Sequence, residues 1–256
     1  MSLRRCLMAG AAALALAVPL SSPAGAVDYV VTGEGLPFSG FSSLSREAPR
    51  VLQQFYDSSF FASITQPVEL TAMSFRLPAV AGVDYPALGD LNFARYEITL
   101  AKPSPASAAA NGLTSAVFAD NMQDPVLVRS GPLTIPKGSF ISNASGVDAE
   151  FSFQIVFDTP YVFTPGQDLV MLVRHSGHGD VNGVETRWNF DGYAWPNGTV
   201  VNTLDVNATS GNFGPGSFNV ANRIRFTVVP EPASLTVLGL GAGLVAALGR
   251  RRAARG

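Results

Sequence analysis

The chain has 256 residues, of which 47% are hydrophobic and only 14% are charged, whereas an average globular domain carries about 25% charged residues. A single cysteine cannot form a disulfide within the chain, which excludes a disulfide scaffold. The net charge of -2 and the lack of an interior basic run exclude a basic nucleic-acid-binding protein, and the high apolar content excludes a disordered chain.

The charges divide the chain into three segments. Six of the 17 Lys and Arg residues lie at the two ends of the chain, two near the start and four near the finish. Residues 27–230 hold 11 Lys or Arg and 18 Asp or Glu, so their net charge is −7. The nearly neutral whole therefore consists of an acidic middle between two basic ends.

The first segment has the three parts of a secretory signal peptide. Arg4 and Arg5 form the charged part, an apolar stretch rich in Ala and Leu follows, and Ala24 and Ala26 provide the small residues that signal peptidase accepts. We predict a signal helix within residues 1–26 that is removed by cleavage after Ala26. An uncleaved anchor helix is the alternative. Cleavage would also remove the only cysteine.

The middle segment, residues 27–228, predicts one extracellular β domain. In residues 93–101, the side chains of Tyr96, Ile98 and Leu100 share one face, and residues 149–163 alternate in the same way. Such period-two alternation, bounded by Pro, Gly, Asn and Asp, is typical of strands with one buried face. The predicted strands lie within residues 68–77, 93–101, 125–133, 149–163, 168–175, 185–190, 199–204 and 223–229.

The fold class that we expect is all-β, as a single antiparallel β-sandwich of the jelly-roll or Ig-like kind. A signal helix precedes it and a transmembrane helix follows it. Helical periodicity is weak throughout the middle segment, and residues 113–119 are the best helix candidate. Residues 103–110, rich in Pro, Ser and Ala, are predicted as a surface loop.

Three aromatic residues, Trp188, Tyr193 and Trp195, lie within eight residues of each other and alternate with Asn and Asp. Flat rings beside planar polar groups suit the faces and hydroxyls of sugars. The cluster is therefore a candidate carbohydrate-binding site. Burial of these aromatic rings in the domain core is the commoner role of such residues.

Two patterns of metal-ligand residues overlap in the same part of the chain. Asp180, Asn182 and Glu185 offer oxygen ligands at spaced positions, as calcium loops do. An ordinary Asn-Gly turn explains the same residues. His175 and His178 together with Asp180 offer the nitrogen and carboxylate ligands of an open zinc site. Ordinary loop histidines are the alternative, so we expect no cofactor, with calcium as the second interpretation.

Catalytic motifs are weak in this sequence. No G-x-S-x-G motif occurs, and Ser217 lies in a loop rich in Gly and Asn. Asp148 and Glu150 are two residues apart, whereas glycosidases need two acids on opposite sides of a cleft. We therefore expect that the protein is not an enzyme, and a secreted hydrolase is the last alternative.

The third segment, residues 229–256, combines a short motif, an apolar stretch and an arginine cluster. These parts are Pro230, Glu231 and Pro232, then residues 234–249, then Arg250, Arg251 and Arg252. A helix made of the apolar stretch would span about 24 Å, which is close to the thickness of a bilayer core. We predict a transmembrane helix with its arginine cluster on the cytoplasmic side.

This tail resembles the PEP-CTERM sorting signal of Gram-negative bacteria, in which the same three parts follow in the same order. The resemblance implies recognition by a membrane-embedded exosortase and processing near residues 230–232. It also implies that the protein is held transiently at the inner membrane of a bacterium that makes exopolysaccharide, and is then delivered to the cell surface or extracellular matrix.

The middle segment resembles, more loosely, sandwich domains that often precede this tail in surface proteins. The similar segments include residues 53–57 (Gln-Gln-Phe-Tyr-Asp) and residues 158–166 (Asp-Thr-Pro-Tyr-Val-Phe-Thr-Pro-Gly). This second resemblance implies a secreted β-sandwich and provides no catalytic residues. We therefore expect a structural or adhesive protein of the exopolysaccharide or biofilm layer, with a carbohydrate-binding module as the alternative.

Overall fold

The computed structural model describes residues 27–31, 44–79, 81–143, 149–179, 190–194, 200–213 and 220–230. This part of the chain is mostly β-strand, and every strand pairing in it is antiparallel. The predicted signal helix and transmembrane helix lie outside the described residues. Within the described ranges, no helix is long and apolar enough to cross a membrane.

Six strands form the larger sheet. From one edge to the other they are β12 (Asn212–Phe213), β11 (Val200–Thr203), β2 (Arg50–Tyr56), β9 (Leu169–His175), β5 (Tyr96–Pro103) and β6 (Met122–Arg129). The central strand β9 pairs with β2 on one side and with β5 on the other. The nearly continuous apolar sequence of β9 fits this central position, since a strand that is covered on both faces needs no alternation.

Four strands form the smaller sheet. From edge to edge they are β1 (Val27–Val31), β14 (Ile224–Pro230), β3 (Val68–Phe75) and β8 (Phe153–Phe163). Two short ribbons complete the set of strands. They are β4 (Leu91–Phe93) with β7 (Leu133–Ile135), and β10 (Gly192–Ala194) with β13 (Val220–Asn222).

Side chains from both sheets pack into one main core. The larger sheet contributes Leu52 and Met171, and the smaller sheet contributes Met73 and Phe226, all with no exposed surface. The predicted inward faces are confirmed, because Tyr96, Ile98, Leu100, Ile155 and Phe157 are all buried in this core. Burial of these large apolar side chains is the main stabilising contribution in a domain whose described part has no disulfide.

A second core lies on the other face of the larger sheet. It contains Val51, Phe55 and Val170 from the sheet, together with Leu113 and Phe118 from the segment between β5 and β6. This segment, residues 104–121, therefore covers the sheet, and we call it the covering segment. The central strands β2 and β9 of the larger sheet are consequently buried on both faces.

The covering segment corrects two predictions. Its helix, α1, is Pro105–Ala110, where we predicted a loop, and residues 113–119 form no α-helix; a 3-10 helix, Phe118–Asn121, follows. Another 3-10 helix, Ser58–Phe61, follows β2. Local capping explains α1: the Ser104 side chain accepts a hydrogen bond from the Ser107 amide, and a proline occupies the first turn. Asn111 ends the helix in the left-handed conformation at φ 50°.

Asn121 ties the covering segment to the sheet beneath it. Its side-chain oxygen accepts hydrogen bonds from the amides of Thr114 at 2.9 Å and Ser115 at 3.0 Å and from the Ser107 hydroxyl at 3.1 Å. Its side-chain amide donates to Oε1 of Gln53 in β2 at 2.8 Å. Gln53 and Asn121 are both fully buried, so the network satisfies polar groups that would otherwise destabilise the fold.

Candidate functional sites

The structure brings the start and the finish of the described chain together. In the antiparallel pair of β1 and β14, Val27 pairs with Val228 and Val31 pairs with Ile224. Val27 is the first residue after the predicted signal cleavage, and Pro230 is the first residue of the predicted sorting motif. Both predicted processing segments therefore join the domain at the same end of neighbouring strands.

The last strand extends past the domain boundary that we placed between residues 228 and 229. Val229 pairs with Glu69, and Pro230 pairs with Val68, both on β3. The first residue of the predicted motif thus belongs to the sheet. Glu231, Pro232 and the arginine cluster of residues 250–252 lie outside the described residues, as do Ala24 and Ala26.

Of the predicted sugar-binding aromatics, only Tyr193 lies in the described part of the chain. Its ring is fully buried and packs edge-on against the Phe60 ring, with the ring centroids 5.1 Å apart. Burial raises the pKa of the Tyr193 hydroxyl well above its ordinary value, while the charge of Arg223 opposes this shift. Tyr193 belongs to the core, so its predicted role as a sugar-stacking surface is wrong. Trp188 and Trp195 lie outside the described residues.

Next to Tyr193, a buried carboxylate joins two arginines from different parts of the chain. Asp191 is fully buried, and its Oδ2 lies 2.6 Å from Nε of Arg76. Both of its oxygens lie 3.0 Å from an Nη of Arg223. No sequence pattern indicated this cluster, because Arg76 lies 115 residues before Asp191 and Arg223 lies 32 residues after it.

Backbone hydrogen bonds strengthen the same cluster. The Asp191 amide donates to the Arg76 carbonyl, and the Arg223 amide donates to the Asp191 carbonyl, both at 2.9 Å. The guanidinium groups of Arg76 and Arg225 lie over the Phe151 ring, at 5.1 Å and 5.4 Å from its centroid, as in cation–π contacts. The cluster holds residues 190–194 against the ends of β3 and β14.

The two histidines of the zinc alternative pack against aromatic rings in the described part of the chain. His175 is fully buried at the end of β9, where its ring stacks on Tyr96 with centroids 5.7 Å apart. Its Nδ1 accepts a hydrogen bond from the Gly177 amide at 3.1 Å. The His178 ring meets the Phe93 ring edge-on. His175 is therefore a core histidine, His178 is half-buried, and Asp180 lies outside the described residues.

The remaining site predictions fall mostly outside the described residues. This holds for the calcium candidates Asp180, Asn182 and Glu185, for Ser217, and for Asp148 of the acid pair, while Glu150 is exposed. Within the described ranges, no three or more His, Cys, Asp or Glu residues are grouped so that they could hold a metal ion.

Comparisons with known proteins leave the chain without an assigned relative. No family model matches the sequence, and no curated protein matches it.

Proposed function

We propose that this protein is an exported surface or extracellular-matrix protein that is sorted by a PEP-CTERM/exosortase system. The two sheets and their common core form its extracellular domain, which we interpret as a single β-sandwich. Its role is structural or adhesive within the exopolysaccharide or biofilm layer. The acidic charge of −7 on residues 27–230 fits a soluble exported domain.

One observation carries this proposal. The Pro-Glu-Pro motif, the apolar stretch and the arginine cluster follow one another without a linker directly after the last strand, which ends at Pro230. The described core residues of β14 lie between Ile224 and Val228, before the motif begins. This order supports a tail that a peptidase removes and a folded domain that remains.

The test is the fate of the tail in a Gram-negative host with and without its exosortase. We expect the secreted protein to lack the apolar stretch and the arginine cluster when the exosortase is present, and to keep them at the membrane when its gene is deleted. Intact mass spectrometry of the membrane and medium fractions measures both. Identical C-termini in the two strains would contradict the sorting proposal.

A matched pair of variants separates the motif from the rest of the tail. Replacing Glu231 and Pro232 by alanine should leave the tail attached, whereas replacing Glu150 and Pro132 by alanine should not, because these two exposed residues lie in the folded domain. Removal of the tail from both variants at the same rate would show that the motif is not read.

Carbohydrate binding is the second candidate function. The observation in its favour is that residues 190–194 are anchored by the Asp191 ion pairs and by burial of Phe190 and Tyr193. Trp188 and Trp195 flank this anchored stretch, at two residues before and one residue after it. An anchored backbone between two aromatic residues limits the entropy that binding would cost.

A glycan array that includes the host's own exopolysaccharide tests this candidate. We expect binding by the secreted protein and loss of binding when Trp188 and Trp195 are both replaced by alanine. Replacement of the exposed Val156 by alanine is the control and should leave binding unchanged. Absence of binding to every glycan would rule the candidate out.

A further inference from the structure

The turn between β11 and β12 presents every second side chain to solvent. Asp205, Asn207 and Thr209 are exposed, whereas Val206 and Ala208 between them are half-buried. Asn207 and Thr209 are the first and third residues of an Asn-Ala-Thr sequence, which has the Asn-x-Ser/Thr pattern of N-glycosylation acceptors. The structure thus places both residues that define the pattern on the open side of one turn.

The half-buried residues anchor this turn to the larger sheet. Nη1 of Arg174, which lies on β9, donates hydrogen bonds to the carbonyl oxygens of Val206 at 3.0 Å and Ala208 at 2.7 Å. Ala208 also packs against the second core. The backbone of the turn is therefore fixed from the side of the sheet, while the exposed side chains remain accessible to an enzyme.

The two ends of the Asn207 side-chain amide have different surroundings. Its Oδ1 accepts a hydrogen bond from Nη1 of Arg95 at 2.9 Å. Its Nδ2 makes no hydrogen bond with any other residue in the described part of the chain. This nitrogen is the atom to which an N-linked glycan is attached, so the attachment would break no hydrogen bond donated by Nδ2 within the described fold.

Two further Asn-x-Ser/Thr sequences begin at Asn143 and Asn197. Ser145, which completes the first of them, and the whole of the second lie outside the described residues. The sequence at Asn207 also has an acidic residue, Asp205, two positions before the asparagine. The Asn207 backbone amide donates to Oδ1 of this residue at 2.9 Å, which places the carboxylate in the same turn as the acceptor.

We propose that Asn207 is an N-glycosylation site of the exported protein. The co-reactant is an oligosaccharide that is joined to a lipid through pyrophosphate, and an oligosaccharyltransferase brings the two together. Nδ2 of Asn207 forms a bond to the anomeric carbon of the first sugar, while the bond from that carbon to the phosphate oxygen breaks. The lipid pyrophosphate leaves with the electron pair, and Nδ2 gives up one proton. This inference rests on the proposed function, because export brings the turn to the compartment in which such enzymes act.

The first test does not depend on export. The full-length chain, solubilised in detergent, is incubated with a purified bacterial oligosaccharyltransferase that accepts Asp-x-Asn-x-Thr sequences, together with its lipid-linked oligosaccharide. We expect intact mass spectrometry of the folded protein to show an added glycan, and glycopeptide sequencing to place it on Asn207. Absence of a glycan from Asn207, under conditions in which the enzyme modifies a reporter protein, would overturn the inference.

Matched variants of the turn show whether the enzyme reads the pattern. Asn207→Gln should lose the glycan. Thr209→Ser keeps the required hydroxyl and should keep the glycan, whereas Thr209→Val has a similar shape without the hydroxyl and should lose it. Ser210→Ala, at the next exposed position, is the control and should be glycosylated like the wild type. Equal glycosylation of Thr209→Ser and Thr209→Val would overturn the inference.

The second test separates this inference from the sorting proposal. The chain is produced in a Gram-negative host with and without its oligosaccharyltransferase gene, and we expect the glycan on Asn207 only when the gene is present. Secreted protein without the glycan in the host that has the enzyme would overturn the inference and leave the sorting proposal intact. Protein that carries the glycan but retains its apolar tail would support the inference and contradict the sorting proposal.

Discussion

The two sheets differ in what covers their outer faces. In the larger sheet, Val51, Phe55 and Val170 point away from the main core and are still fully buried, because the covering segment packs on them. In the smaller sheet, the outward side chains of Val156 and Val162 are 61% and 50% exposed. The centre of the larger sheet is covered on both faces, whereas its edge strand β6 is not, since Leu127 is 50% exposed. The outer face of β8 in the smaller sheet is open.

The two sheets also differ in their position relative to the predicted export segments. The smaller sheet contains β1 and β14, which adjoin both predicted export segments, while the larger sheet contains neither end. The covering segment of the larger sheet has 18 residues, which include the helix α1 and a hydrogen-bond network of their own. The larger sheet thus has a cover of its own, and the smaller sheet carries the attachments.

The strongest test of the smaller sheet is Asp191→Asn. Asp191 pairs with Arg76, which follows β3, and with Arg223, which precedes β14, so it links the ends of the two middle strands. Removal of a buried charge that holds two cations should lower the free energy of unfolding by about 3–5 kcal/mol. Urea unfolding of the secreted protein measures this, with the exposed Glu150→Gln as control. A loss no larger than that of the control would show that the cluster does not support the sheet.

The covering segment is tested by Asn121→Ala. This change removes the hydrogen bonds to Gln53 and to the Thr114 amide and leaves buried polar groups without partners, which should destabilise the protein by about 2–3 kcal/mol. Hydrogen exchange should rise in residues 104–121 and on the larger sheet beneath them. Asn92→Ala, at an exposed position, is the control and should change stability by less than about 0.5 kcal/mol. Equal effects of the two variants would mean that the segment does not depend on this network.

A pair of identical substitutions compares the outer faces directly. Val170→Ala removes two buried methyl groups from the covered face and should cost about 2 kcal/mol, including the cavity that it leaves. Val156→Ala, on the open face, should cost less than about 0.5 kcal/mol. Denaturant midpoints of the two variants measure the difference. Similar costs would mean that the two outer faces are buried to a similar extent.

The smallest effect is expected outside both sheets, at Asp84. Hydrogen bonds from the Ser142 amide at 2.7 Å and the Ser142 hydroxyl at 2.9 Å lower the pKa of this exposed carboxyl. A lowered pKa in the folded state contributes stability above the unfolded pKa of about 3.9, and this contribution is lost as the pH falls through the folded value. The stability difference between the wild type and Asp84→Asn should therefore shrink on going from about pH 6 to about pH 2. NMR titration of Asp84 at or above the ordinary value would refute the assignment.

Alternation along the sequence predicted well the strands in which one face is buried more deeply than the other, as in β5 and β8. Tyr96, Ile98 and Leu100 are buried as expected, and so are Ile155 and Phe157. Strand β2, Arg50–Tyr56, was not predicted, because all seven of its residues are buried and its sequence contains two glutamines in place of an alternating pattern. Both glutamines find partners only through the fold, Gln53 with Asn121 and Gln54 with Asn222.

The candidate site was less accessible to prediction than the fold. Aromatic residues between Asn and Asp look the same in a sugar site and in a core, and the contact that buries Tyr193 comes from Phe60, more than a hundred residues earlier. Helix α1, by contrast, had a readable local signal in Ser104, the proline at its start and Asn111. The position of α1 follows from local capping residues, whereas the position of Tyr193 depends on tertiary packing.

Because Val27 pairs with Val228, the first and last strands of the domain bring its two ends next to each other. Residues that pair across antiparallel strands lie about 5 Å apart, so a linker of a few residues would join the two ends of the folded domain. New ends could then open at the exposed turn around Lys137 and Gly138. Such a circular permutant should keep both sheets, and it would present its chain ends from a different part of the molecule.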